Sequence, residues 1–95
     1  MSEPSTAQCR VIYYRGRVQG VGFRYTTRRI ASRFAVAGYV KNLPDGRVLV
    51  VVEGEQAELN RFVAAVNDRL GHYVEEVQSS VHLAEGTFHG FGIEF

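Results

Sequence analysis

The chain has a single cysteine, Cys9, among its 95 residues. No disulfide can form within it, which suits a reducing, cytoplasmic setting. It has little charge to spare: eleven Lys and Arg stand against ten Asp and Glu, a formal net charge of +1. That balance argues against the basic footprint of a nucleic-acid binder. No apolar run approaches the roughly 20 residues of a membrane-spanning helix. Met1–Arg10 lack the apolar centre of a signal peptide. There is no internal repeat and no low-complexity tract. The three histidines, His72, His82 and His89, lie apart without metal-ligand spacing and read as surface or turn residues. No metal or other cofactor is expected. A hydrophobic content of 45% suffices for one modest core. The expectation is a small monomer with neither nucleic acid nor membrane as a partner.

What is present reads as one domain over residues 9–95, preceded by a flexible tail over residues 1–8. Cys9–Arg15 is apolar, β-branched and aromatic, and reads as a strand in which Cys9 is a small buried hydrophobe. From Phe23 to about Phe34 the residues Phe23, Thr27, Ile30, Ala31 and Phe34 recur on one helical face. Arg28, Arg29 and Arg33 lie largely off that face and read as solvated surface. Gly38–Asn42 and Arg47–Glu53 read as two strands joined by the turn Leu43-Pro44-Asp45-Gly46. Gly54 ends the second of them. A helix from Glu55 carries Leu59, Phe62, Val63, Val66 and Leu70 on one face, with Gly71 as its C-cap. Val74–Leu83 reads as a strand with Val77 and Val81 on one face. Phe91, Ile93 and Phe95 alternate in a short last strand. The five tyrosines are mostly assigned to core packing. The order β-α-β-β-α-β, with one extra strand, predicts an α+β fold of ferredoxin-like type: a mostly antiparallel sheet with both helices on one face.

The chemistry concentrates between the first strand and the first helix, in Gly16-Arg-Val-Gln-Gly-Val-Gly-Phe-Arg24. Glycines allow backbone N–H groups to converge on one point, a helix N-terminus adds free N–H groups, and an arginine supplies a planar fork for two oxyanion oxygens. Such a loop is either an anion cradle or only a tight connection. It is not a Walker A loop, because no Lys-Ser or Lys-Thr closes it, and Gly20-Val-Gly-Phe-Arg-Tyr25 fails as a dinucleotide fingerprint. A βαβ crossover makes the first and second strands run the same way, so Asn42, ending the second, falls near the loop. Its amide either holds a water beside a bound phosphoryl group or only shapes the turn.

Gly16–Arg24 resembles the first signature of the acylphosphatases, and Gly38-Tyr-Val-Lys-Asn-Leu-Pro-Asp-Gly46 resembles their second. The likeness covers residues 9 to 70 well and Gly90–Phe95 more loosely. It departs at Gly71-His72-Tyr73, where many members carry Gly-Pro, and at Ala35, where glycine is common. The resemblance implies hydrolysis of acyl phosphates to a carboxylate and inorganic phosphate. It makes Arg24 and Asn42 catalytic, the first as phosphate ligand and the second as the group that positions water. The backbone of Gln19, Gly20, Val21, Gly22 and Phe23 would complete the phosphate cradle with Arg24. A carboxylate leaving group needs no general acid, in keeping with motifs that contain neither a carboxylic acid nor a histidine in a catalytic place. A further expectation is that the Phe95 carboxylate orients an arginine such as Arg24. The competing readings are a non-catalytic anion-binding regulatory domain, a piece of a larger carbamoyl-phosphate-processing protein, and an RNA-binding module of the same layout. The last is opposed by the aliphatic strand Arg47–Glu53, which lacks exposed aromatics for base stacking.

Overall fold

Val48 is flanked by two strands that never touch each other, and that arrangement organises the molecule. A computed structural model describes residues 7–95. In chain order the elements are β1 (Ala7–Gly16), α1 (Phe23–Ala31), β2 (Val36–Asn42), β3 (Val48–Glu55), α2 (Gln56–Leu70), a 3-10 turn (Gly71–Tyr73), β4 (Val74–Leu83) and β5 (Phe91–Glu94). The five-stranded sheet has the order β4-β1-β3-β2-β5. β1 and β2 each pair antiparallel with β3, and β4 pairs antiparallel with β1. Only β5 pairs in parallel, along β2. The ferredoxin-like α+β arrangement expected from the element order is therefore present, with the extra strand on the β2 edge.

Directly opposed residues share a face of a sheet and alternate along each strand. Ile12, Val50, Val40 and Ile93 form one cross-strand row, and Tyr14, Val48 and Asn42 form the next. The helices cover this face. Phe23, Thr27, Ile30 and Ala31 of α1 and Leu59, Phe62, Val66 and Leu70 of α2 are buried against Ile12, Tyr14, Val40, Val48, Val50 and Val52. Phe62 holds the layers together. Its ring lies 6.3 Å from Phe34 at the exit of α1 and 5.7 Å from Phe91 at the start of β5.

Several boundaries differ from the sequence reading. β1 begins at Ala7, because Ala7 and Gln8 pair with Glu55 and Gly54. The expected tail therefore loses its last two residues to the sheet, and residues 1–6 lie outside the described part. α1 stops at Ala31, where Arg33 and Phe34 donate three residues back, to Ile30 and Ala31, and tighten the exit. Phe34 still packs against the core from outside the helix. Gly71 does cap α2, but in a right-handed conformation with φ −58°, and the chain winds on into the 3-10 turn. Val77 and Val81 share a face as expected, yet they are 49% and 57% exposed, since β4 is an edge strand lying beyond the helices. Cys9 is half-buried, and burial together with Glu53 and Glu85 pushes its thiol above the usual range. That shift favours the protonated thiol over the thiolate.

Phe62 has no solvent exposure, and its ring packs between those of Phe34 and Phe91. Phe62→Ala is expected to cost about 3–5 kcal/mol of stability, measured by urea denaturation. A loss below about 1 kcal/mol would contradict this account of the core.

Candidate active site

The loop between β1 and α1 contains the left-handed residues Gly20 and Gly22, both at φ +78°. A side chain there would find open space but a strained backbone, so conformation rather than crowding requires glycine. Gly22 is the N-cap of α1 and offers no capping side chain. The first helical bond is from the Thr26 N–H to the Gly22 carbonyl, 3.0 Å. The N–H groups of the first turn ahead of Thr26 have no partner within the helix, and the positive end of the helix dipole lies at the same point. No acidic side chain occupies that first turn.

Arg24 stands in this turn, half-buried, with its guanidinium 4.9 Å from the centre of the Phe95 ring. That contact with the ring consumes none of the donors of the fork. Among the described residues Arg24 has no ion pair. The expected link to the Phe95 carboxylate is thus replaced by a contact through the ring, because Phe95 continues the β5 alternation onto the helix-covered side.

Asn42 ends β2 opposite Val48, in one row with Tyr14. Its carboxamide therefore takes the helix-covered face at the end of the sheet from which the glycine loop departs. Its Oδ1 is buried and has no hydrogen-bond donor among the described residues. Gly20, Gly22, Phe23, Arg24 and Asn42 line one recess of about 190 Å³, together with Val18 and Tyr25. A buried acceptor, an unpaired guanidinium and free amide donors thus open onto one small volume. Phe23 closes its floor, fully buried and tilted against Tyr14 at 5.2 Å. Burial pushes the Tyr14 hydroxyl up to about 12, so it stays neutral.

Two of the expected loop residues behave differently. Val21 packs toward the core. Gln19 is more than a link in the backbone: its Nε2 donates to the carbonyls of Leu43, at 2.8 Å, and Arg47, at 3.0 Å. Leu43 directly follows Asn42, so one side chain ties the glycine loop to the end of β2. Sequence reasoning missed this link, because nothing local marks Gln19 as reaching 24 residues ahead. It also gave no role to Tyr25, one of five tyrosines assigned mostly to core packing, which is 56% exposed at the rim of the recess. Its place next to Arg24 in the first helical turn, off the apolar face, was the available signal. Among the described residues no three of His, Cys, Asp and Glu gather where they could hold a metal ion, and no helix is long and apolar enough to cross a membrane.

Known proteins resemble this chain in sequence and fold. The sequence profile of the acylphosphatase family matches residues 10–93. An acylphosphatase of Rubrobacter xylanophilus is 43% identical over 83 residues, which is 86% of this chain and 76% of that protein. An acylphosphatase of Archaeoglobus fulgidus is 58% identical over 55 residues, and there the matched stretch spans 58% of this chain and 62% of its relative. The crystal structure of acylphosphatase from Bacillus subtilis superposes with a TM-score of 0.80 at 36% identity, covering 94% of this chain and 99% of that one.

The Gln19 link yields a direct test. The Leu43 and Arg47 carbonyls also accept from Gly46 and Leu43 N–H groups, so losing Gln19 leaves each with one partner. Gln19→Leu is expected to cost about 1–2 kcal/mol by urea denaturation. It should also speed amide hydrogen exchange at the β2–β3 turn. Unchanged exchange there would show that the link does not restrain the turn.

Proposed function

The chain belongs to the acylphosphatase family, and from that premise we propose that it hydrolyses the carboxyl–phosphate anhydride of acyl phosphates by cradling the phosphoryl group and orienting one water. The observation that carries this reading is the buried, unpartnered Oδ1 of Asn42 at the same recess as Arg24 and the first-turn amides.

The phosphoryl group sits against the backbone N–H groups of Gln19 to Phe23, with the Arg24 fork on two of its oxygens. These donors answer the charge on the equatorial oxygens in the transition state. Asn42 Oδ1 accepts a hydrogen bond from the attacking water and aims its oxygen at phosphorus, in line with the departing group. As the new P–O bond forms, the bond from phosphorus to the acyl oxygen breaks. The carboxylate leaves with the electron pair, and the water's proton ends on phosphate or solvent. The leaving group is weakly basic, so no general acid is required. Asn42 gains its acceptor role from burial: an amide oxygen without a protein donor costs free energy that a bound water recovers.

The reading extends to the setting. The chain acts as a monomer in a reducing cytoplasm, with a small-molecule acyl phosphate as substrate and inorganic phosphate as product, and without metal or nucleic acid. The single cysteine supports the reducing setting, the near-neutral charge the absence of nucleic acid, and the supply of donors at the site a reaction without metal. A regulatory domain that binds phosphate without turnover is the competing reading.

With benzoyl phosphate as substrate and excess chelator present, the parent chain is expected to turn over. Arg24→Ala should lose on the order of 10³-fold in kcat/KM, and Arg24→Lys should remain severely impaired because an ammonium cannot make the paired contact. Asn42→Ala should lose on the order of 10²-fold in kcat, with inhibition by inorganic phosphate nearly unchanged. Phosphate binding without any hydrolysis by the parent chain would favour the regulatory reading. Full activity in Arg24→Ala would refute the role given to the guanidinium.

A further inference from the structure

A second concavity, of about 570 Å³, runs along α1 beside the start of β5 and shares Tyr25 with the recess that holds Arg24 and Asn42. Its polar walls include Arg28, Arg29 and Ser32, and its apolar walls Phe34, Val36 and Phe91. No acidic side chain lines it. Arg24 and Arg28 are four residues apart on α1, so they stand on neighbouring turns of one face, about 6 Å apart along the axis. Among the described residues neither Arg28 nor Arg29 is in an ion pair. The two arginines are not equivalent. Arg29 also borders a separate hollow with Asp68, which Arg28 does not line. The Ser32 hydroxyl is engaged with the Arg29 carbonyl at 2.6 Å and is not free for a ligand.

A basic last turn complements the negative end of a helix dipole, and Arg28 and Arg29 satisfy that rule. The rule does not account for a groove that meets the phosphoryl recess at Tyr25, carries cations without counter-charge, and has an apolar wall. We propose that this groove is the acyl-group site, and that Arg28 selects acyl phosphates whose acyl chain ends in a second anionic group, a carboxylate, about one helical turn from the anhydride. The proposal rests on the phosphoryl-transfer reading of the neighbouring recess. In it, the phosphoryl group occupies the cradle, the acyl chain passes Tyr25 along Phe34 and Phe91, and the distal carboxylate meets the Arg28 guanidinium. Arg28 is then a specificity residue and takes no part in bond breaking.

The test compares succinyl phosphate with butyryl phosphate, which has the same chain length and no carboxylate. The parent chain is expected to favour succinyl phosphate in kcat/KM by on the order of 5-fold at low salt, as an exposed charge-assisted pair permits. The preference should shrink as salt is added. In Arg28→Gln the ratio should fall toward one, mainly through KM for succinyl phosphate, while the butyryl phosphate rate changes far less. Arg28→Lys should restore part of the ratio. A binding arm uses 4-phosphonobutyrate against butylphosphonate, which need no turnover. The parent chain should bind the carboxylate-bearing phosphonate more tightly, and Arg28→Gln should abolish the difference. Equal kinetics and equal phosphonate binding in the parent chain, or a preference that survives Arg28→Gln, would overturn the proposal. Discrimination between the phosphonates with no hydrolysis of either acyl phosphate would sink the catalytic reading and leave the Arg28 site standing.

Discussion

A single carboxamide spans the two halves of the site. Gln19 donates from the glycine loop to the carbonyls of Leu43 and Arg47, and so holds the loop at a fixed distance from the end of β2. Its hold is effective only because the sheet has already brought those segments together. Tyr14 and Asn42 flank Val48 in one cross-strand row, so β1 and β2 finish at the same level and their loops leave the same edge. Without the register, Gln19 would have nothing to reach. Without Gln19, a glycine-rich loop with two left-handed residues would keep much of its freedom.

The site is assembled from groups that a fold built only for stability would have satisfied. α1 starts with no capping side chain, Arg24 lacks a counter-ion, and the Asn42 Oδ1 is buried without a donor. Each omission carries a free-energy cost, and all three fall on one recess. Gln8 Oε1, Arg10 Nε and Thr27 Oγ1 are also buried without a partner among the described residues, but none of these residues lines the recess; other polar groups are satisfied. Arg10 Nη2 donates to the Asn60 side-chain Oδ1, the Glu58 carboxylate takes hydrogen bonds from Arg61 and the Ala35 N–H, and Glu53 accepts from the N–H groups of Glu85 and Gly86 at 2.9 and 3.0 Å. The convergence of the first-turn amides, the Arg24 guanidinium and the Asn42 oxygen on one recess is the physical basis for reading it as a binding site. A bound oxyanion and a water would supply the partners that the protein withholds.

The fold was legible because each element has its own period. The faces of α1 and α2 repeat every three or four residues, and β3 is an unbroken aliphatic run, so their buried positions could be read directly. The edges of elements were less legible. Ala7 and Gln8 look like tail residues and become strand only because Glu55 and Gly54 lie opposite. Phe34 has the helical spacing but is reached by a tightened turn. Val77 and Val81 alternate like core residues, but no helix extends over β4, and local pattern does not report where a distant helix stops.

The chain by itself determined the kind of site. Glycines at positions 20 and 22, an arginine two residues later and an asparagine at the end of a strand are local choices, and backbone freedom, charge and hydrogen-bonding capacity belong to each residue alone. Only the tertiary structure decided which groups share a volume and which are already engaged. It made the Gln19 side chain a cross-link, set the Phe95 ring rather than its carboxylate beside Arg24, and placed Tyr25 at the rim of the recess. These outcomes depend on register and on the angle at which a helix meets a sheet, both set by packing among residues far apart in sequence.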